Sequence, residues 1–303
     1  MRKPRSLRRV AIAAAAVGVV APVFRRQIGM PPPVTSVVAW QTPLAVALSF
    51  PRTRVRDAAV YATQMWAYLA HYEMPNDDPD ALLRRVQVDY PVKVDRAIGR
   101  GEIPTVRLQR ALGREGDLHW YDTALSGVHW AWFVWPHAVL LYVLVRRPER
   151  FPRSATLIAA TFDTGAGFYH LIPTAPPWWA GNKRKVPHVR RIMTEAGERF
   201  WGRYWTHLYD SLSGNQLAAM PSLHFATSVM AAHVLSDAGR VEGAVGWTYA
   251  GLLGFALVYL GEHYVVDLAA GAALAETVRR LEPVGRPFAR AVAGAVRSLE
   301  PGR

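Results

Sequence analysis

Two histidines and one aspartate lie where polar sequence turns apolar, and their types and spacing could do chemistry. His263 and Asp267 occur in YLGEHYVVDLAAG, four residues apart, so a helix would place them on one face about one turn apart. The carboxylate could then hold one imidazole nitrogen, fix the tautomer and raise the basicity of the other nitrogen. His224 occurs in MPSLHFATSVMAAHVL and could supply the complementary acid from a second helix.

A cationic segment between the apolar runs at 155–172 and 217–235 suggests what the three residues act on. Its basic residues are Lys183, Arg184, Lys185, Arg190 and Arg191. Phosphoryl transfer suits such a set, because one histidine can attack phosphorus, the other can protonate the leaving oxygen, and cations can hold the remaining oxygens. Two alternatives stay open. The same His, His and Asp could bind zinc in a metal-dependent hydrolase, or they could relay protons in a lipid carrier or transporter.

Composition favours a membrane protein with a substantial polar portion. Apolar residues make up 51% of the 303 residues, yet the mean hydropathy is only +0.03. The net charge of +13 comes from basic residues beside apolar runs, which indicates lipid headgroups and membrane topology rather than a nucleic-acid partner. The chain has no cysteine, which excludes disulfides, thiolate metal sites and cysteine nucleophiles.

The N-terminal half is predicted to contain one span, a linker and a cap. The basic start MRKPRSLRRV precedes an apolar run at 10–24, which we interpret as an uncleaved span rather than a signal peptide. With the proline-rich linker it forms the region 1–54. The region 55–125 is predicted to be an amphipathic or interfacial cap. Whether 34–72 crosses the membrane is left open by the pattern.

Five clear apolar runs follow, at 130–145, 155–172, 217–235, 243–260 and 264–278. Each is near the length that crosses about 30 Å of hydrocarbon when flanking aromatic residues extend it. The predicted fold is therefore all-α, a polytopic membrane protein with a six-helix transmembrane core and extra interfacial helices. The catalytic core would occupy 126–281, and a basic cytoplasmic tail would occupy 282–303.

Short basic loops predict the orientation of these runs. RRPERFPR, at 146–153, and the tail should both be cytoplasmic, because positive charge is retained on that side. Following the chain from there places His224 and His263 at the outer ends of their helices. The prediction is an integral protein of the plasma membrane with an extracytoplasmic site.

MPSLHFATS and GEHYVVDLAAG resemble the second and third signature blocks of the type-2 phosphatidic acid phosphatase superfamily of integral membrane enzymes. The resemblance covers about residues 155–278. It implies a six-helix core and a site that needs neither metal nor other cofactor. It also implies that His263 is the nucleophile that forms a phosphohistidine, that Asp267 orients it, and that His224 protonates the leaving group and then activates the acceptor. Ser222 lies in the phosphate-binding second block.

The chain departs from that family pattern at two places. The Lys and Arg-Pro of the common first block are absent, and Leu257 stands where the third block usually has an Arg. The turn PTAPPWW instead is similar to the inositol phosphorylceramide synthase branch, whose members move a phospho-headgroup between lipids and alcohols. Lys183, Arg184 or Arg190 could replace the missing cations, or could equally be headgroup anchors. His170 could touch phosphate or simply lie at the interface.

The resemblance therefore implies a lipid phosphotransferase or phosphatase that acts on an anionic phospholipid or lipid phosphate, with a polyol or lipid as possible acceptor. A plain phosphatase for phosphatidic acid or polyprenyl phosphate is the alternative. The other polar residues of the apolar runs have simpler interpretations. Asp163 is predicted to be a partnered structural group, His129 and His137 to belong to an aromatic interface, and His233 to lie far from the site.

Overall fold

The computed structural model describes residues 5–113, 116–205 and 214–299, and all extended regular elements in these ranges are helices. The predicted all-α class is confirmed. The helices are α1 (Arg5–Val20), α2 (Pro32–Trp40), α3 (Thr42–Ser49), α4 (Arg54–Glu73), α5 (Pro79–Arg85), α6 (Asp89–Ile98), α7 (Pro104–Leu112), α8 (Trp120–Ala131), α9 (Trp135–Arg146), α10 (Phe151–Leu171), α11 (Pro177–Asn182), α12 (Ile192–Trp201), α13 (Leu223–Ala238), α14 (Arg240–Tyr259) and α15 (Val265–Leu299).

The first four helices pack against one another. Arg8, near the start of α1, donates to the carbonyl of Ser49, just before α4 begins. Arg25, beyond the end of α1, pairs with Asp77, just beyond the end of α4, at 2.8 and 2.9 Å. The helices α1 and α4 therefore run in the same direction. The helices α2 and α3 pack against both α1 and α4, and they lead the chain from the end of α1 back to the start of α4.

The central bundle is built from α9, α10, α13 and α15, with α4 and α14 packed against it. Its buried apolar cluster includes Leu140, Ile158, Phe162, Leu223 and Met230. Burial of such side chains supplies the main stabilising free energy, at about 25 cal/mol per Å² of apolar surface. This core fixes the starts of α13 and α15 relative to each other.

One helix in the described part, α14, is by itself long and apolar enough to cross a membrane. The helices α8 and α9 reach that length and hydropathy only when they are taken together as one span across a bend of 53°. The run at 130–145, predicted as one segment, is thus divided between two helices. Pro136 stands at the start of α9, where its missing N–H costs no hydrogen bond but interrupts a continuous helix. The number of membrane spans stays a prediction.

The two ends of the bundle differ in character. At one end Arg153 of α10 donates to Asp237 at 2.9 Å and to Glu282 at 3.2 Å, which gathers the basic loop at 146–153 with the turn between α13 and α14. At the other end of α10, the hydroxyl of Tyr169 donates to the carbonyl of Pro221 at 2.7 Å. His224 and His263 lie at this second end, because α13 begins there.

Candidate active site

His224, His263 and Asp267 form a continuous series of contacts. Nδ1 of His263 lies 3.3 Å from Oδ2 of Asp267, and Nε2 of His263 lies 3.2 Å from Nδ1 of His224. Asp267 is fully buried, and His263 is 4% exposed. Both contacts are slightly long for hydrogen bonds. The structure thus brings together the three residues that the sequence selects.

Local backbone contacts set this arrangement. Ser222 caps α13, since its hydroxyl accepts from the N–H of Phe225 at 3.3 Å, and its own N–H donates to the carbonyl of Asp267 at 3.0 Å. A Cβ at Gly271 would lie only 2.6 Å from the carbonyl oxygen of Ser222, so only glycine permits this approach. Oδ2 of Asp267 also accepts from the N–H of Tyr264 at 2.9 Å. The starts of α13 and α15 are therefore fastened to each other directly beside the histidines.

A third histidine and a tryptophan pack against His224. The ring of His129 is stacked on it at a centroid distance of 4.9 Å, and the ring of Trp132 lies 4.1 Å away. Nε1 of Trp132 donates to the hydroxyl of Thr227 at 2.9 Å, which fixes the indole. His129 is 3% exposed and belongs to the site rather than to the predicted aromatic interface. Sequence alone gave no sign of this, because the contact depends on the bend after α8.

The histidines open into a cavity of about 380 Å³. One end is polar, with His129, His224, His263, Arg191 and Glu262 in its wall. The rest is mainly apolar and aromatic and includes Met65, Leu69, Phe133, Pro136 and Phe162. It also contains polar residues, namely Glu73, His137, Asn215 and Gln216. A ligand that fits has an apolar body and one polar, anionic-compatible end.

Two of the apolar wall residues are also exposed. Leu69 of α4 is 45% exposed and Phe133, between α8 and α9, is 37% exposed.

Arg191 and Glu262 form an ion pair in the cavity wall next to His263. Nε of Arg191 lies 3.0 Å from Oε1 of Glu262 and Nη2 lies 3.3 Å from Oε2. The guanidinium also stacks on the ring of Trp178 at 4.0 Å. Arg191 is the only lysine or arginine among the described residues that line the cavity. In the sequence, Arg191 is distinguished only as one cation of a basic segment.

The cap contacts the chain at or near the starts of α13 and α15. The carboxylate of Asp95 in α6 accepts from the N–H groups of Val265 and Val266, at 3.1 and 3.0 Å, and so caps α15. Burial raises the pKa of Asp95, and these two donors oppose the rise. The hydroxyl of Tyr90 contacts Thr174 and Met220, both at 3.0 Å. This part of the chain, which had no assigned role, is a support for the site.

The remaining predicted phosphate-binding residues lie away from the cavity. Lys183 and Arg184 are exposed, and Lys183 lies 5.2 Å from the ring centroid of Trp179. Arg190 pairs with Glu195, which raises the pKa of the arginine. His170 stacks on His71 at 4.1 Å and contacts its carbonyl. None of these, nor Ser222, is among the described residues in the cavity wall.

Other polar residues are placed as follows. Asp163 accepts from Gln64 at 2.9 Å, between α10 and α4, in line with a partnered structural group. His233 pairs with Glu276 at 2.6 Å, more than two turns along α13 from His224. Within the described residues, no group of three or more His, Asp or Glu side chains is arranged to hold a metal ion.

Comparisons with known proteins give the chain a family. A curated relative, the phosphoinositol dihydroceramide synthase of Bacteroides thetaiotaomicron, is 34% identical over 115 residues, which are 35% of this chain and 37% of that protein. The chain thus matches little more than a third of that relative's length. No solved structure matches. A model of the PAP2 superfamily matches residues 119–278, which include every residue of the His224–His263–Asp267 series, and the chain belongs to that superfamily.

Proposed function

We propose that the chain is an integral membrane lipid phosphotransferase that works through a covalent phosphohistidine on His263. The observation that carries the proposal is the contact series from Asp267 through His263 to His224 at the polar end of an otherwise apolar cavity. A phospholipid has the matching form, since an anionic headgroup adjoins an apolar body. Membership of the PAP2 superfamily supports the same class of reaction.

The contacts favour one resting tautomer. With the proton of His263 on Nδ1, facing Asp267, Nε2 of His263 has a free electron pair that accepts from Nδ1–H of His224. The attacking atom is then Nε2 of His263. The two rings are only 3.2 Å apart at these nitrogens, so they must separate when a phosphoryl group enters.

The reaction has two steps. In the first, Nε2 of His263 bonds to phosphorus while the bond from phosphorus to the leaving oxygen breaks, and protonated His224 gives that oxygen a proton. In the second, neutral His224 takes the proton of an incoming hydroxyl, whose oxygen bonds to phosphorus while the N–P bond breaks. Arg191 is placed to hold the non-bridging oxygens, in the role that the missing family cations would have.

The donor is an anionic phospholipid, and the acceptor is a polyol or the hydroxyl of a second lipid. Two observations favour transfer over hydrolysis: the proline-rich turn before α11 and the name of the synthase relative. With water as acceptor the same steps give the alternative, a lipid phosphate phosphatase. The site is proposed to face the extracytoplasmic side of the plasma membrane, because the basic loop at 146–153 lies at the opposite end of the bundle.

The direct test is covalent labelling. Purified protein in detergent is incubated briefly with ³²P-labelled phosphatidylinositol or phosphatidic acid and quenched, and the bound label is located by mass spectrometry. Label that is lost in acid, kept in base and absent from His263→Ala is expected. The matched control is His233→Ala, which removes the other histidine of α13 at the opposite end of the helix and should keep the label.

The products then decide the acceptor. A new phospho-headgroup product that requires an added polyol or acceptor lipid supports the transferase, whereas free phosphate formed without either supports the phosphatase. Chelator should leave both reactions intact, and loss of activity in chelator would support the zinc hydrolase instead. Full turnover in His263→Ala would contradict the mechanism.

A further inference from the structure

The carboxylate of Glu262 is an unexpected group to find beside a phosphate site. It precedes the proposed nucleophile, lies in the wall of the same cavity and is only 10% exposed. Both its oxygens face the guanidinium of Arg191, at 3.0 and 3.3 Å. A buried anion repels an incoming phosphate, and the repulsion is stronger in a cavity than in water. A site for bare phosphate alone gains nothing from such a carboxylate.

The pair is held in place by the backbone on both sides. The N–H of Ile192 donates to the carbonyl of Leu260 at 3.3 Å, and the N–H of Trp178 donates to that of Gly261 at 3.2 Å. Gly261 has φ of +88°, and a Cβ there would lie 2.6 Å from the carbonyl oxygen of Arg190. A side chain is therefore excluded at Gly261, and the segments 190–192 and 259–262 stay in close register.

A glutamine reinforces this register. Nε2 of Gln109, from the cap, donates to the carbonyls of Arg190 and Tyr259, both at 2.9 Å, and its Oε1 accepts from the N–H of Arg190. The Arg191–Glu262 pair is thus a fixed feature of the wall rather than a mobile surface ion pair. Its orientation is set before any ligand arrives.

Hydroxyl groups are the ligand that this combination suits. Phosphate oxygens and Glu262 would compete for the donors of Arg191, so a bound phosphate leaves the carboxylate in need of other donors. Two adjacent hydroxyls can each donate to one carboxylate oxygen. A phosphate that carries a polyol brings these hydroxyls with it, and they lie within a few atoms of phosphorus.

We propose that Glu262, oriented by Arg191, binds adjacent hydroxyls of a polyol and makes the site selective for polyol phosphates over bare lipid phosphates. This inference rests on the proposed function of the site. The polyol is either the headgroup of the donor lipid or a free acceptor. In both cases the recognised chemistry is the same pair of hydroxyls.

The test compares two lipids in the wild type and in Glu262→Gln. Glutamine keeps the shape of the side chain but has one acceptor oxygen and no charge. We expect the ratio of kcat/KM for phosphatidylinositol to that for phosphatidic acid to fall by about 10-fold or more, as when a buried partner of a substrate hydroxyl is removed. Glu262→Asp, which keeps the charge, should recover part of that ratio and guards against a folding defect.

Glu102→Gln provides the matched control. It breaks another arginine–carboxylate pair, with Arg110 at 2.7 and 3.1 Å, in the exposed cap, and should leave the ratio as in the wild type. Added free inositol separates the two sources. If the polyol is an acceptor, inositol yields a new phosphorylated product in the wild type and much less in Glu262→Gln. If it is the donor headgroup, inositol only inhibits.

An unchanged ratio in Glu262→Gln, or an equal fall for both lipids, would overturn the inference while leaving the proposed function standing. A wild type that turns over neither lipid and takes no label on His263 would refute the proposed function, and the inference would fall with it.

Discussion

In the proposed mechanism, the side chain of Asp267 decides which nitrogen of His263 is free to attack phosphorus. In Asp267→Asn the amide can present N–H to Nδ1 of His263, which moves the ring proton to Nε2 and removes the attacking electron pair. We expect kcat to fall by about 10²–10⁴-fold. Because the shape is kept, thermal unfolding in detergent should change little. Activity equal to that of the wild type would show that Asp267 does not set the tautomer.

At this scale the sequence was informative where spacing alone implies contact. The separation of His263 and Asp267 by one helical turn predicted their approach, and the structure brings His224 to them. The sequence was uninformative where tertiary packing determines which of several similar residues reaches the site. The five cations between 183 and 191 are equivalent in sequence. Of these five, only Arg191 lies in the cavity wall, where backbone hydrogen bonds join the chain on either side of it to the segment around Gly261.

Among the elements, α6 matters because this helix of the cap supports the start of α15. Asp95 is fully buried and accepts two backbone N–H groups at the start of the helix that carries Asp267. In Asp95→Ala both donors lose their partner, which costs about 1–3 kcal/mol of stability. We expect kcat to fall more than KM changes, because α15 shifts the His263–Asp267 pair. Asp95→Asn should recover part of kcat.

The control for this prediction lies on the same helix. Asp89 is exposed and pairs with Lys185 at 3.3 Å, so Asp89→Asn should change neither kcat nor the unfolding temperature appreciably. Equal effects of Asp95→Ala and Asp89→Asn would contradict a positioning role. The sequence of the cap predicted interfacial helices, but the buried carboxylate of Asp95 could not be distinguished from its exposed neighbours.

The long helices between residues 130 and 278 were predicted in type and order, and their limits were not. The apolar run at 130–145 conceals the break between α8 and α9, and the helix expected at 264–278 continues to Leu299 through Pro283 and Pro287. Hydropathy indicates where apolar residues are concentrated, but it does not indicate where the backbone bends. The break brings His129 and Trp132 against His224, so it bears directly on the site.

For the whole molecule, orientation in the membrane is the property to test, and the absence of cysteine makes this simple. Lys183→Cys and Arg147→Cys each introduce a single thiol at opposite ends of the bundle. In intact cells a membrane-impermeant maleimide should label position 183, and position 147 only after permeabilisation. The reverse pattern would place the site on the cytoplasmic side.

The exposed cavity-wall residues Leu69 and Phe133 bear on how substrate concentration is expressed for the proposed lipid reaction. A lipid that enters the cavity from the bilayer past these apolar side chains arrives by diffusion in two dimensions, so the relevant quantity is its mole fraction among neighbouring lipids. Adding inert detergent at constant amounts of protein and substrate would then slow turnover, although nothing in bulk solution has been diluted. The protein would measure the make-up of its own bilayer leaflet.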